Sequence, residues 1–452
     1  MSSSITHKPK SSGSLLWFTQ DLRLDDNPSL LAAAKSEQLL CVYVVDPIWF
    51  RPGRWQISSM GYHRWYFLQE CLSSLNQELR HLGQQLYVCY GDTVSVLGNL
   101  LATGQYDQMH HTALAGSVEA NILKRLKRPW PDIEVIAHRG YTLFDDADRP
   151  LAIAEWPDTY SRFRRQAEKC TMALPQSAPS SLPPMPAMTP TPTLKQPDWL
   201  PQPVSSQTSF QGGIRAAQQH LDEYFSGVLP RVYKDNRNAL SGWGNSSKLS
   251  PWLNHGVISP RRICQYLRRY NSDHGDNPGT QWLLVELLWR EFFHWHHHKV
   301  GDRLFKFRGL ANSSPNTTFY PERWRKWCDG ETPYPLVNAC MKELKATGYL
   351  SNRGRQIAAS CLINELGLDW RFGAAWFEYQ LIDYDVSCNW GNWQYIAGVG
   401  VDPRGGRHFN LEKQTHQFDP DGHYRRRWGA TANPQLDSTD MVDWPIESEA
   451  NG

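Results

Sequence analysis

The segment 349–398 decides how this chain is interpreted. It contains YLSNRGRQIAAS (349–360) and DWRFGAAWFEYQLIDYDVSCNWGNWQYIAG (369–398), both with helical spacing. A packed helical core requires aliphatic side chains, and each polar group inside it needs a partner. Here the same segment holds Asn352, Arg353, Arg355, Asp383, Asp385, Asn389, Trp390 and Trp393. This concentration of polar and aromatic groups predicts a deep pocket around a large polar, aromatic cofactor. It comprises two carboxylates, two guanidiniums, two amides and several indoles.

Length and composition limit the class of protein. The chain has 452 residues, is 40% hydrophobic and contains 20 tryptophans, which predicts two or three domains with a large core. No apolar run reaches the ~20 residues of a membrane span, and the Ser/Lys-rich start (1–14) has no apolar signal region. We interpret that start as a disordered leader rather than a transit peptide. Nine cysteines without a CxxC pair indicate reduced thiols in a soluble, cytoplasmic protein.

The first part of the chain predicts an α/β fold. Short apolar runs of strand type alternate with helical patterns such as 60–82, which favours a doubly wound parallel sheet over 13–140. The strand-like runs are LLWFT (15–19), LLCVYVVD (39–46), LYVCYGD (86–92) and IEVIAH (133–138). No GxGxxG follows the first run, so the usual dinucleotide fingerprint is absent.

The rest of the chain divides into three predicted parts. Residues 141–212 include a stretch rich in Pro, Ser, Thr and Gln, typical of an inter-domain connector. From 213 to 430 the periodicity is helical, which predicts an all-α domain. Residues 431–452 are polar and acidic and are interpreted as a flexible tail.

Two further motifs carry chemistry. YKDNRNALSGWGNSSKLSPWLNHGVISPRR (233–262) places serines around a lysine before a helical run, a pattern that suits either a helix cap or a phosphate site. In WLLVELLWREFFHW (282–295), Glu286, Trp289 and Arg290 share one helix face. That face fits either an amphipathic surface or one wall of a pocket. The residues alone leave both pairs of alternatives open.

Taken together, these motifs resemble those of one protein family. SNRGRQ (351–356), DYDVSCNWGNW (383–393) and GVDPRGGRHFN (400–410) are similar to the photolyase/cryptochrome flavoproteins, and within them to the DASH-type cryptochromes, which act on single-stranded DNA. The resemblance covers about 13–428 and implies an FAD-binding helical domain. The FAD-binding residues that it implies are Tyr233, Arg237, Ser246, Ser247, Lys248, Ser250, Glu286, Arg290, Asn352, Arg355, Asp383, Asp385 and Asn389.

The resemblance also implies a function. A blue-light-driven deoxyribodipyrimidine photo-lyase would split cyclobutane pyrimidine dimers by electron transfer from excited, reduced FAD, preferring single-stranded DNA and acting as a monomer. The alternative is a blue-light photoreceptor that signals without repairing DNA. A (6-4) photoproduct enzyme would need a catalytic histidine pair, which the residues around Asn352 do not supply.

Roles at the lesion follow from the same resemblance. Glu286 would hydrogen-bond the dimer, Trp289 would stack on it, and Tyr395 would form a second aromatic lid. Asn352 would contact both flavin and lesion, and Asn389 would face flavin N5. An ion pair between Arg355 and Asp383 would lie beside the flavin ring. Contacts with DNA are implied for Trp289, Arg353, Gln356 and Tyr395.

The electron supply departs from the family pattern. Trp393 and Trp370 match the inner and middle tryptophans that reduce the photoexcited flavin. The outer position aligns near Thr317 and Thr318, neither of which is easily oxidised. We consider Phe319, Tyr320 and Trp324 as substitutes.

Neither an antenna site nor a metal site has all the residues that it would need. The antenna pigment of DASH members, methenyltetrahydrofolate, is left open because Thr19 stands where arginine is usual and 110–121 lacks the expected acidic residues. The run HWHHHK (294–299) predicts no metal site, since no acidic or cysteine partner is suitably spaced. Basic clusters at 261–262, 268–269 and 425–427 have aromatic neighbours, which suits a single-stranded nucleic acid, whereas each cluster alone is typical of a solvated face.

Overall fold

The computed structural model describes residues 13–187, 197–201, 206–401 and 406–437. The predicted leader, parts of the predicted connector (188–196 and 202–205) and most of the predicted tail (438–452) lie outside the described residues. The domain boundaries given above therefore remain predictions. None of the helices in the described ranges combines the length and the apolar character that crossing a bilayer requires.

A five-stranded parallel sheet forms the N-terminal part, and the predicted α/β fold is confirmed. Its strand order is β3-β2-β1-β4-β5. The strands are β1 (Gly13–Phe18), β2 (Gln38–Val45), β3 (Leu86–Tyr90), β4 (Gln108–Thr112) and β5 (Glu134–His138). All five pair in parallel, as the alternation of strands and helices predicted.

Strand β4 was not predicted from the sequence. It reads QMHHT and lacks the branched aliphatic residues of a buried strand. Its histidines are nonetheless buried because they find polar partners. His110 Nε2 lies 3.3 Å from Ser14 Oγ, and His110 Nδ1 lies 2.9 Å from His138 Nε2. These cross-strand partners are invisible in a local pattern.

The C-terminal part is helical, as predicted. The regular elements among its described residues are helices, short 3₁₀ turns and one isolated bridge between Thr318 and Leu368. The helices of the described ranges are α1 (Pro28–Ala33), α2 (Tyr62–His81), α3 (Thr93–Leu101), α4 (Ser117–Lys127), α5 (Tyr160–Ala167), α6 (Ile214–Ser226), α7 (Leu229–Asn236), α8 (Ser250–Asn254), α9 (Pro260–His274), α10 (Pro278–Val300), α11 (Pro321–Asp329), α12 (Pro335–Thr347), α13 (Asn352–Asn364), α14 (Trp370–Gln380), α15 (Val386–Ala397), α16 (Leu411–Phe418) and α17 (His423–Arg427).

Strand β1 contributes side chains to two cores. Successive residues of a strand point to opposite faces of the sheet. Leu15 and Trp17 pack with Leu97 of α3, whereas Leu16 and Phe18 belong to a cluster that continues into the helical part. The sheet and the first helices of the C-terminal part therefore share one apolar core.

Buried polar groups also join the two parts. The Arg23 side chain, 1% exposed, donates to the carbonyls of Asp26 (2.7 Å), Gly140 (2.5 Å) and Gly256 (2.9 Å). On α10, the Glu291 carboxylate accepts from the backbone N–H groups of Leu143 (2.7 Å) and Phe144 (3.1 Å). Burial raises the pKa of Glu291, and these hydrogen bonds oppose the rise.

The last described helix, α17, docks through one tyrosine. The buried Tyr424 hydroxyl donates to the carboxylate of Glu343 on α12. Burial raises the pKa of Glu343 from the ordinary 4.5 to about 7, although Tyr424, Lys248 and Arg427 lower it. The folded state therefore binds a proton at Glu343 more tightly than the unfolded chain does.

We predict that this carboxyl makes stability depend on pH. Its contribution is fully present below pH 4.5 and is lost as the pH rises through about 7, so the free energy of unfolding should fall across that window. Glu343→Gln keeps an acceptor for Tyr424 and should flatten the decline. Urea unfolding across this pH window measures it, with exposed Glu331→Gln as control. Equal pH slopes in wild type and Glu343→Gln would contradict the assignment.

Candidate active site

A cavity of about 450 Å³ lies among α7, α8, α10, α13 and α15. The structure brings nearly all the predicted site residues to its wall. Those implied for FAD all line it: Tyr233, Arg237, Ser246, Ser247, Lys248, Ser250, Glu286, Arg290, Asn352, Arg355, Asp383, Asp385 and Asn389. Trp289, Gln356, Trp393 and Tyr395 line it as well, whereas Trp370 and Arg353 are not lining residues.

Asp385 caps the N-terminus of α15 and is held as a carboxylate. Its Oδ1 accepts from the Cys388 N–H (2.8 Å), and its Oδ2 accepts from the Tyr141 hydroxyl (2.9 Å) and lies 3.2 Å from His294 Nε2. Burial alone would raise the pKa of Asp385. His294, Arg290 and the Cys388 N–H outweigh burial and hold that pKa well below its usual range. A fixed negative charge therefore stands in the cavity wall.

Asp383 and Arg355 form the ion pair that the resemblance implied. Arg355 Nη2 lies 2.7 and 3.0 Å from the two carboxylate oxygens of Asp383. Ser250 Oγ donates to the same carboxylate (2.6 Å), and Arg355 Nε donates to the Leu350 carbonyl (2.8 Å). The pair joins α8, α13 and the loop before α15 at one point of the wall.

Arg290 reaches the cavity from α10 with unused donor capacity. Its Nη1 donates to the Tyr141 carbonyl (2.8 Å), and its guanidinium carbon lies 4.2 Å from the centre of the Tyr141 ring. Its buried Nη2 has no hydrogen-bond partner among the described residues. A buried guanidinium N–H facing no acceptor fits a site whose ligand carries oxygen or nitrogen acceptors.

Residues 246–250 form a polar loop at the cavity. Lys248 is buried and adopts a left-handed backbone conformation (φ 53°), and its Nζ lies 4.6 Å from the centre of the Tyr349 ring. His220 Nε2 lies 2.7 Å from the Ser247 carbonyl and holds the loop from behind. A buried cation beside serine hydroxyls suits an anionic ligand such as a diphosphate.

Glu286 is partly buried and accepts hydrogen bonds from two donors. Its Oε1 accepts from Arg237 Nη1 (2.7 Å) and from Trp282 Nε1 (3.0 Å). Burial raises the pKa of Glu286, and Arg237 and Trp282 only partly oppose the rise. The carboxyl is therefore more easily protonated than an ordinary glutamate, which suits a group that exchanges a proton with a ligand.

Two aromatic rings stand near Glu286. Trp289 stacks on Tyr160 of α5 with ring centroids 3.7 Å apart and planes 10° apart, and it meets Tyr395 edge-on at 6.3 Å. The Tyr395 hydroxyl accepts from Arg407 Nε (3.0 Å) and Nη2 (2.8 Å). The sequence did not predict roles for Tyr160 or Arg407. Arg407 lies within the quoted GVDPRGGRHFN motif, whereas no local pattern indicated Tyr160.

Three predicted residues have surroundings that the sequence did not show. The guanidinium of Arg353 donates to Asn238 Oδ1 (3.2 Å) and lies 4.8 Å from the centre of the Phe418 ring. Trp370 contacts the ring of Trp390 (5.8 Å), whereas Trp393 contacts Phe377 and Trp327. The DNA role of Arg353 and the middle position of Trp370 remain predictions.

The prediction that the histidine run has no acidic or cysteine partner was wrong. The fold brings Asp385 and Cys388 to His294, with potential ligand atoms all within 4.8 Å of one another. Both carboxylate oxygens of Asp385 already accept hydrogen bonds. Burial, followed by the charge of Asp385, raises the pKa of the Cys388 thiol, so the thiolate that binds metals is disfavoured. This cluster is part of the cavity wall.

Comparison with known proteins decides the family. Residues 14–187 match the family described as DNA photolyase, and residues 282–447 match the FAD binding domain of DNA photolyase. The chain is 46% identical over 436 residues to a cryptochrome DASH of Idiomarina loihiensis, covering 96% of each protein. This chain belongs to the photolyase/cryptochrome family. It carries a photolyase-type FAD-binding domain, and the orphaned Nη2 of Arg290 and the buried Lys248 fit that cofactor.

Solved structures of the family agree. A cryptochrome of Synechocystis sp. PCC6803 superposes with a TM-score of 0.88 at 38% identity, covering 94% of this chain and 89% of that one. A class III photolyase of Agrobacterium tumefaciens gives a TM-score of 0.79 at 28% identity, covering 94% and 88%. Family membership supports a photolyase-type enzyme with a DNA substrate.

We predict that the Arg355–Asp383 pair stabilises the cavity wall. Arg355→Met leaves the buried Asp383 carboxylate with only the Ser250 hydroxyl as side-chain donor, and it should lower the free energy of unfolding by about 3 kcal/mol. Arg355→Lys should lose less, since it keeps the charge. Adding Asp383→Asn to Arg355→Met should recover most of the loss. Urea unfolding of the FAD-free protein measures each variant, and additive losses in the double variant would refute the pairing.

Proposed function

We propose that this protein is a blue-light-driven DNA repair enzyme that splits cyclobutane pyrimidine dimers and prefers single-stranded DNA, acting as a monomer. One observation carries the proposal. The cavity that holds the FAD-binding residues also presents, on α10 and α15, a carboxyl with a raised pKa and two aromatic rings. A flavin and a damaged dinucleotide could thus occupy adjoining parts of one cavity.

Several residues would hold the cofactor. Lys248, Ser246 and Ser247 suit the diphosphate, and Arg290 has a free Nη2 for a further acceptor. The Arg355–Asp383 pair and Asn389 suit the polar edge of the ring system. Asn389 Nδ2 donates to the Ala374 carbonyl (3.0 Å), which fixes the amide against α14. The chemistry supplied by FAD is one-electron transfer driven by light.

The residues around Glu286 would bind and orient the lesion. Trp289 stacks on Tyr160 and contacts the Phe293 ring at 5.7 Å, and it lines the cavity, where it would stack with a base. Stacking on aromatic rings contributes about 1–3 kcal/mol per base. Glu286, with its raised pKa, would hold a proton near the pyrimidine oxygens and stabilise negative charge that develops there.

The preference for single strands follows from the cost of exposing the lesion. A dimer must leave the base stack to enter the cavity, which costs a few kcal/mol in a duplex and least in damaged or single-stranded DNA. A tyrosine at 395 offers a smaller stacking surface than a tryptophan would, so the site has less binding energy with which to offset that cost. Arg353 and Gln356, at the start of α13, would contact the DNA backbone.

We predict light-dependent repair of a single-stranded oligonucleotide that carries one defined thymine dimer. Chemically reduced holoprotein under blue light should restore the thymines, measured by chromatography of the digested product, and should act faster than on the same lesion in a duplex. A dark sample is the control. Bound FAD without any repair would overturn the proposal and favour the signalling photoreceptor.

Glu286→Gln should separate repair from cofactor binding. The amide cannot supply the proton that we assign to this carboxyl, so we expect a several-fold lower repair yield per photon with little loss of bound FAD. Bound FAD is measured from absorbance after heat release. Glu223→Gln, at an exposed position of α6, is the matched control. A parallel loss of repair and FAD would show that Glu286 only maintains the fold of the cavity.

Asn389→Asp should change the redox form of flavin that accumulates under light. A carboxylate beside the ring system would disfavour negative charge on it. Visible absorption spectra during illumination measure this change. Asn312→Asp, at an exposed position that does not line the cavity, is the control. Identical photoreduction spectra for wild type and Asn389→Asp would contradict the placement of Asn389.

A further inference from the structure

The chain lacks an oxidisable residue at its expected outer electron-supply position. Thr317 and Thr318 lie there, and the Thr318 N–H donates to the Gly367 carbonyl (3.0 Å) as part of the bridge between the α10–α11 and α13–α14 connections. An alcohol side chain cannot give up an electron to a photoexcited flavin. Any electron supplied from the surface must therefore reach Trp393 by other side chains.

A different set of indoles leads outward from the cavity. Trp393 lines the cavity and is 2% exposed, and its ring centroid lies 6.3 Å from that of Trp327, which is fully buried. The Phe377 ring contacts both of them, with its centroid 5.1 Å from that of Trp393 and 6.0 Å from that of Trp327. These three rings form one continuous contact.

The same contact continues toward the surface. Trp327 stacks on Trp324 with centroids 5.6 Å apart and planes 23° apart. Trp324 is only partly buried, and it contacts Phe319, which is 38% exposed. Trp324 and Trp327 are three residues apart on α11, so their order is fixed by one turn of helix.

We propose that Trp327 and Trp324 form the electron relay that serves Trp393, in place of Trp370 and an outer tryptophan. The inference requires bound FAD, and it bears on the proposed repair activity only because that activity needs reduced flavin. Electron transfer between aromatic rings slows steeply with their separation, so ring contact favours this route. Trp370 instead contacts Trp390 (5.8 Å), which leads to Trp55 (6.5 Å).

Electrons would move inward along the relay, from the protein surface to the cavity. For each photon, one electron would pass from Trp393 to the photoexcited flavin, one from Trp327 to Trp393 and one from Trp324 to Trp327. Full reduction of the flavin would therefore take two photons and a proton from solvent. A soluble thiol would return one electron and one proton to the Trp324 radical, and the two thiyl radicals formed in two such cycles would combine to a disulfide. The indole N–H of Trp327 donates to the Ala358 carbonyl (3.1 Å), a group too weakly basic to take its proton. The oxidised Trp327 therefore keeps its proton and its power to oxidise Trp324, which can lose a proton to water.

The test compares three conservative variants of the oxidised holoprotein. Trp324→Phe, Trp327→Phe and Trp370→Phe are excited by blue-light pulses with a thiol present, and transient absorption records the long-lived tryptophan radical and the reduced flavin. We expect Trp324→Phe and Trp327→Phe to lower the yield of both by an order of magnitude. Trp370→Phe should lower it by less than half.

A second readout identifies the terminal radical directly. Pulsed electron paramagnetic resonance gives the separation of the radical pair, which should match Trp324 in wild type and shorten in Trp324→Phe. Wild-type photoreduction in Trp324→Phe, or a loss in Trp370→Phe as large as in Trp327→Phe, would overturn the relay. Bound FAD, measured by absorbance, controls for folding, and if Trp327→Phe fails to bind FAD then Trp324→Phe alone decides.

Failure of the relay and failure of the proposed function can be told apart. Protein reduced chemically with dithionite needs no electron supply, so Trp324→Phe reduced in this way should repair the dimer as well as wild type does. Absence of repair in reduced wild type would count against the function alone. Loss of repair in reduced Trp324→Phe would overturn the relay role, because it would show that Trp324 supports the site itself.

Discussion

The buried carboxylate of Glu291 is the constraint on which the geometry of the site depends. A carboxylate in an apolar core must be fully hydrogen-bonded, and Glu291 obtains its partners from the backbone N–H groups of Leu143 and Phe144 and from the Trp295 indole (2.6 Å). The segment that leaves the sheet is thereby fixed on α10. The neighbouring Tyr141 then offers its carbonyl to Arg290 and its hydroxyl to Asp385. One helix turn thus links the α/β part to the cavity wall.

Close packing of helices sets the depth of the cavity. A side chain at Gly391 of α15 would meet the ring of Phe293 on α10, and one at Gly373 of α14 would meet the ring of Trp393. Hydrogen in place of a methyl group at these two positions lets α15 lie against both neighbours. Because the aromatic rings occupy the space that glycine leaves, Trp393 is held rigidly at the inner wall. The polar side chains on the same helix then face the cavity from fixed positions.

The fold and the site could be predicted to different degrees. Short apolar runs predicted four strands and helical periodicity predicted the C-terminal part, because burial leaves a local trace in the sequence. Strand β4 left no such trace, since the partners of His110 come from β1 and β5. Motif resemblance predicted the cavity residues, and the structure adds that they line one cavity. Tyr160 on Trp289, Asp385 beside His294 and Trp327 beside Trp393 are contacts between distant segments, which local patterns cannot show.

The protonated state of Cys388 has a consequence for durability. A flavin that meets oxygen in its reduced form releases peroxide, and peroxide attacks thiolates far faster than thiols. Cys388 lines the cavity, and burial and the neighbouring Asp385 carboxylate raise the pKa of its thiol, which favours the protonated form. The burial and charge that shape the cavity wall therefore also keep this sulfur in the form that peroxide oxidises slowly.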